Sequence, residues 1–119
     1  ELGYNLYKNK EYDHAELIFR KLVVMLPLEK THWQGLASTI QMQRRFQDAL
    51  VAWSMFAFID PKCPMPHFFA AECLFELDNY TDCMTALNSL SDRDPDGQYN
   101  SKTQSMKEMC MLKLEEVHD

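Results

Sequence analysis

Pro27, Pro61 and Pro95 stand 34 residues apart, and Tyr12, Phe46 and Tyr80 keep the same interval. Three further columns hold it: Gly3, Ala37 and Ala71; Ala15, Ala49 and Cys83; Phe19, Trp53 and Leu87. One column could match by chance, but five in one register describe a sequence written three times. The residue types assign each column a physical task. Small residues let two antiparallel helices approach, large apolar residues fill the space beside them, and proline ends the second helix of a pair. These columns are therefore structural before they are anything else.

A period of 34 is that of the tetratricopeptide repeat, a helix pair that cannot bury its apolar face alone and stacks on its neighbours. The expected fold is all-α: a right-handed superhelical solenoid of three repeats, about 1–27, 28–61 and 62–95, closed by a capping helix at about 101–117. We read residues 1–119 as a single domain, since 119 residues with 46% apolar content suit one elongated core. Such a stack presents an extended concave surface, so binding is the default function.

The helix boundaries follow from the turn residues. The first helix runs to about Lys8, Asn9-Lys10-Glu11 turns, and Tyr12 to Met25 is its partner. Repeat two spans about Glu29–Gln43 and Phe46–Ile59. Repeat three follows the rigid connector Asp60 to Pro66, with Pro66 in a first helical turn, and spans about Pro66–Leu77 and Tyr80–Leu90. Ser91 to Gln98 reads as a loop, and Ser101 to Val117 as the cap, with Met106, Met109, Cys110, Leu112 and Lys113 spaced to cover the last repeat.

Charge and motifs exclude several function classes. A net charge of −6 with no basic stripe beyond Arg44-Arg45 disfavours nucleic acid. No apolar run approaches the roughly 18 to 20 residues of a membrane-spanning helix. No basic segment followed by an apolar one marks a signal peptide. The chain opens at Glu1 without methionine, so we expect a trimmed fragment. Four cysteines without a C-x-x-C pair read as reduced thiols in a cytosolic protein, with Cys73 and Cys83 on core faces. His14, His32, His67 and His118 are scattered, and Cys63, His67 and Cys73 would need the connector to fold back to approach one ion, so no metal or other cofactor is expected. Glu72 and Glu76 lie at i and i+4, as on a solvated face, and no phosphate loop is present. We expect no enzyme.

The residues left over after the core is assigned locate the candidate site. In the first helix of repeat two, Trp33, Leu36, Ala37 and Ile40 form the packed face, and Thr31, Gln34, Ser38 and Gln41 a second stripe. Equivalent places are Tyr4, Tyr7 and Lys8 in repeat one and Met65, Phe68, Glu72 and Phe75 in repeat three. The expected groove is aromatic at both ends and polar in its middle. Exposed aromatic residues on an open surface mark an interaction site. Phe68 and Phe75 have two readings, groove lining or packing on the neighbouring repeat or the cap, while the hydroxyls of Tyr4 and Tyr7 suit a half-wet pocket. Tyr12 reads first as a helix-pair spacer.

The stretch Pro66-His67-Phe68-Phe69-Ala70-Ala71-Glu72-Cys73-Leu74, after Ile59-Asp60 and a proline-bearing connector, resembles the AAECL region of the class II chaperones of bacterial type III secretion. Tyr4-Asn5-Leu6-Tyr7 followed by Tyr12, Gly35-Leu36-Ala37, and the whole three-repeat register agree; the resemblance covers about residues 2 to 90. It implies a cytoplasmic bacterial chaperone, with a role in virulence, that masks hydrophobic translocator proteins before export by holding an extended P-x-L-x-x-P-like segment in its concave groove. It implies Tyr4, Tyr7, Lys8, Tyr12, Gln34, Ser38, Gln41, Phe68, Glu72 and Phe75 as peptide contacts. The family associates through segments near the N-terminus, so a homodimer is one expectation and the oligomeric state stays open. Trp33, Trp53 and Lys10, the last at the usual turn glycine, depart from the family pattern. The competing readings are a cochaperone-type module clamping a C-terminal carboxylate, which Tyr4, Met65 and Phe69 disfavour, and a general scaffold binding through Val51, Met55 and Phe58.

Overall fold

The computed structural model describes residues 1–118, and among them all the regular structure is helical, with no strand. The helices are α1 (Leu2–Lys8), α2 (Tyr12–Met25), α3 (Lys30–Met42), α4 (Phe46–Ile59), α5 (Met65–Glu76), α6 (Tyr80–Leu90) and α7 (Asn100–His118). A 3₁₀ turn over Ser91–Arg93 occupies the start of the expected loop. Pro66 lies in the first turn of α5, where an amide has no intrahelical acceptor to lose.

The 34-residue period extends to a feature the sequence alone did not show. The turn inside each helix pair is closed by a non-glycine residue in the left-handed region: Lys10 (φ 63°), Arg44 (φ 61°) and Asp78 (φ 60°). The next amide then reaches back to the helix: Glu11 N donates to the Leu6 carbonyl (2.9 Å), Arg45 N to that of Ile40 (3.3 Å) and Asn79 N to that of Leu74 (2.9 Å). This is the Schellman arrangement, which satisfies carbonyls that the ending helix leaves open. Each turn accepts a strained residue to keep that geometry.

Contacts within the chain cluster into two compact units, Glu1–Pro61 and a second from Lys62 on. In the first, Ala15, Phe19, Val23, Leu36, Ala37, Ile40, Ala49, Ala52, Trp53 and Phe56 are buried. Glu16 ties α2 to the α3–α4 turn, accepting from Arg45 Nη1 (2.7 Å) and Gln43 Nε2 (2.9 Å), and pairs with Arg20 (2.8 Å) along its own helix. Burial alone would raise the Glu16 pKa, but the hydrogen bonds from Gln43, Arg20 and Arg45 outweigh it and hold the carboxyl below its usual range. Lys30 Nζ meets Asp60 at 2.7 Å, joining the start of α3 to the end of α4.

The second unit is built on Ala71, Cys83, Leu87 and Cys110, with Leu74, Phe75, Tyr80, Met84, Ala86 and Met106 packed against them. The Cys83 thiol donates to the Ala71 carbonyl (3.2 Å), and the Cys110 sulfur lies 3.4 Å from that of Cys83. All four cysteines are free thiols. Burial first, then Glu72 and Glu76, pushes the Cys73 thiol up to about 12, so it stays protonated and acts as a small hydrophobe.

The expected docking stripe of α7 is half corrected. Met106 and Cys110 face the core as expected, whereas Met109, Leu112 and Lys113 are exposed. With Cys110 turned inward, residue 109 stands one helical step away and residue 112 about 200° round, so the inward stripe continues through Leu114 instead.

Candidate peptide-binding site

Two helices and one ring make the site, all in the first unit. From α1, Tyr4 and Tyr7 project one turn apart, and the Lys8 ammonium sits 5.3 Å from the centre of the Tyr4 ring. From α3, Thr31, Gln34, Gly35 and Ser38 present one stripe. Between them lies Phe19 of α2. With Glu1, these residues line a cavity of about 340 Å³ that is open to solvent on one side. Glu1 also caps α1, its Oε1 accepting from the amides of Gly3 (2.7 Å) and Tyr4 (3.3 Å).

The rim is aromatic and adjustable, whereas the floor is fixed. Tyr4 is 55% exposed and Tyr7 half-buried. Burial first, then neighbouring Tyr12 and Tyr4, raises the Tyr7 pKa, so its hydroxyl stays a neutral donor and acceptor at physiological pH. Tyr12 meets Tyr7 edge-on at 5.6 Å between ring centres, so it buttresses the rim from behind. The Phe19 ring is held because both backbones beside it lack a Cβ. A Cβ built on Gly35 would stand 2.2 Å from Phe19 Cε1, and one on Gly3 would stand 3.0 Å from Phe19 Cζ.

Of the residues expected from sequence, Tyr4, Tyr7, Gln34 and Ser38 are brought together in this cavity, with Lys8 and Tyr12 at its margin. Gln41 is turned to another task, since its Oε1 accepts from Trp53 Nε1 at 2.8 Å. Phe68, Glu72 and Phe75 belong to the second unit. The expectation that Phe68 lines an open groove is corrected. It is 2% exposed and stacked on Tyr99, ring centres 4.9 Å apart. Tyr99 is brought there because Asp94 accepts from the amides of Gln98 and Tyr99, each at 2.9 Å, folding the loop back. Phe75 is half-buried on the core cluster and edge-on to Tyr80 at 5.4 Å; Glu72 is half-buried.

Sequence reasoning missed Phe19 and Gly35 as site residues. Phe19 sat in a column already assigned to packing. Gly35 carried a usable signal, because it falls with Thr31 and Ser38 at i, i+4 and i+7, and a glycine on that stripe leaves bare backbone facing the groove.

No protein-family model matches the chain. Aligned over 122 residues, 99% of this chain and 73% of the other, it is 26% identical to the low calcium response locus protein H of Yersinia pestis. It also matches the Yersinia enterocolitica type III secretion chaperone SycD, solved in complex with a peptide of the translocator YopD. That match has a TM-score of 0.88 and 26% identity over 94% of this chain and 88% of that one. The chain is a relative of the type III secretion translocator chaperones. A tetratricopeptide domain of yeast Sti1, in a complex with Hsp70, gives a TM-score of 0.86 at 11% identity, over 93% of this chain and 91% of that one, and shows the fold alone: the all-α tetratricopeptide class. Set against the relationship to translocator chaperones, the AAECL segment takes on a structural meaning. Ala71 and Cys73 are fully buried in α5, so these two residues of the segment are packing, whereas Glu72 between them is half-buried.

Proposed function

We propose that this chain is a type III secretion chaperone that holds an extended segment of a hydrophobic translocator in the α1–α3 cavity, masking it in the bacterial cytoplasm until export. The observation that carries this reading is the division of the cavity into a tyrosine rim, a polar wall of Thr31, Gln34 and Ser38, and an apolar floor at Phe19. An extended peptide needs that combination. Its side chains seek apolar pockets, each worth about 1.5–3 kcal/mol when fully buried, and its backbone seeks side-chain donors and acceptors. A proline-bearing segment also has little conformational freedom to lose on binding.

Tyr4, Tyr7, Gln34 and Ser38 are the proposed direct contacts, with Lys8, Tyr12 and Gln41 supporting them. Glu72 and Phe75 are proposed contacts for client on the second unit, and Phe68 is not. Masking needs no nucleotide and no chemistry. A terminal-carboxylate clamp is disfavoured because the residues lining the cavity include the Glu1 carboxylate and no lysine or arginine.

The test is calorimetric titration with a P-x-L-x-x-P peptide, its C-terminus free or amidated, against the wild-type chain and a Tyr4→Ala/Tyr7→Ala variant of unchanged helicity. Binding that ignores amidation and is lost in the variant supports the proposal. Binding that persists in the variant, or that requires the free carboxylate, refutes it.

A further inference from the structure

We infer that Phe19 is the specificity-determining residue of this cavity, a fixed floor whose depth selects branched aliphatic anchors of the client over aromatic ones. The inference rests on the peptide-binding reading and adds what that reading lacks, a physical reason for one side chain to be chosen over another.

The walls and the floor differ in how far they can yield. Tyr4 is more than half exposed, and Thr31, Gln34 and Ser38 stand on the open stripe of α3, so each can change rotamer around a guest. Phe19 cannot. It is 3% exposed, and the bare backbones of Gly3 and Gly35 lie against its ring. Interiors packed this way resist displacement of even one methylene. A guest therefore descends until it meets the ring edge and no further. A leucine or isoleucine ends at that depth with its methyl groups against the ring and the Gly35 backbone. A phenylalanine, whose ring reaches further from Cγ than the leucine methyl groups, lifts its own backbone away from Gln34 and Ser38 and forfeits those hydrogen bonds.

Two glycines around one phenylalanine are the sequence trace of this device. Gly35 leaves no room for a Cβ, so the ring position and the glycine specify each other. At Gly3 a Cβ would stand 3.0 Å from Phe19 Cζ, a tighter contact than usual, so α1 also approaches the ring closely.

The experiment uses the whole chain and three peptides identical but for the central anchor: P-x-L-x-x-P, P-x-F-x-x-P and P-x-A-x-x-P. Wild-type protein is expected to bind the leucine peptide at least about 10-fold more tightly than either other, within the range one misfitting group gives in an apolar pocket. Phe19→Leu lowers the floor and is expected to cut the leucine-over-phenylalanine preference about 10-fold, and Phe19→Met, which keeps most of the volume, to narrow it in the same direction. Both variants are checked by circular dichroism, and either one that folds suffices. If affinity for all three peptides falls in parallel with the ratio unchanged, Phe19 is merely structural and the inference is overturned while the peptide-binding reading stands. If the wild-type chain binds none of the three, the reading itself fails.

Discussion

Replacing Gly35 with alanine separates two effects of opposite sign. In an exposed helix interior the change stabilises by about 1 kcal/mol, because alanine restricts the unfolded chain more than glycine does. At Gly35 the new methyl would stand 2.2, 2.4 and 2.6 Å from three atoms of the Phe19 ring. Ordinary carbon contacts begin near 3.5 Å, so either α3 or the ring must move by about 1 Å. Phe19 is 3% exposed, and it lines the cavity. Overpacking of this kind costs about 1–3 kcal/mol. The net expectation is a loss of about 1 kcal/mol, or roughly 3–6 °C in Tm for a chain of this size. Peptide affinity should fall about 10-fold as the floor is pushed into the guest's space. Thermal and urea unfolding followed by circular dichroism, with titration calorimetry alongside, read both effects. The double variant Gly35→Ala/Phe19→Leu removes the collision, so its stability should exceed the sum of the single effects by about 1–2 kcal/mol. A Gly35→Ala protein more stable than wild type by about 1 kcal/mol, with unchanged binding, would refute the close packing of Phe19 on Gly35.

Lys10→Gly should stabilise the chain by about 0.5–1 kcal/mol in urea unfolding, since the left-handed strain exceeds the added freedom of the unfolded chain and no side-chain partner of Lys10 is lost; Asp78→Gly should gain less, because Asp78 Oδ1 accepts from the Tyr80 hydroxyl at 2.8 Å. Against the upward pull of burial, hydrogen bonds from Gln43, Arg20 and Arg45 hold the folded pKa of the Glu16 carboxyl below its ordinary value of 4.5, so its contribution is fully present above that pH and is lost as pH falls through the folded value. Glu16→Gln should therefore cost about 1 kcal/mol at pH 7, limited by the half-exposed Arg20 and Arg45, and flatten the decline of Tm below pH 4.5; an unchanged acid profile would show the cluster to be inert. Phe68→Ala should lower stability by about 3–5 kcal/mol through the lost Tyr99 stack and the cavity left behind, whereas a groove residue would instead lose peptide with Tm unchanged. Val51→Asp and Phe58→Asp, at residues 62% and 75% exposed on α4, should leave peptide titration unaltered, and weakened binding there would revive the scaffold reading.

The fold was legible because each repeat is a local object. A turn, a small residue and a terminating proline act within 34 residues, so α2, α4 and α6 begin and end where the sequence places them. What could not be read locally was rotation about a helix axis. Phe68 lies on the stripe that lines the groove in the other repeats, but Asp94 folds Tyr99 onto it, and nothing in α5 announces a partner 31 residues away. Met109 and Leu112 failed for the same reason. The close approach of Cys110 to Cys83 fixes how α7 is turned, and that contact spans 27 residues.

The site divides along the same line, and the division explains why its most specific residue escaped notice. Tyr4, Tyr7, Gln34 and Ser38 are visible because a helical wheel separates them from the core. Phe19 is not, because it does both tasks at once: one side of its ring fills the helix-pair interface and the other is the bottom of the cavity. In a repeat only two helices thick, the core and the floor of a groove are the same layer of side chains. Recognition depth in such a protein is therefore set by packing residues, and mutations that tune it will also register in stability. A Phe19 or Gly35 substitution that changes anchor preference with no shift in Tm would mean that the two functions of this layer are separable after all.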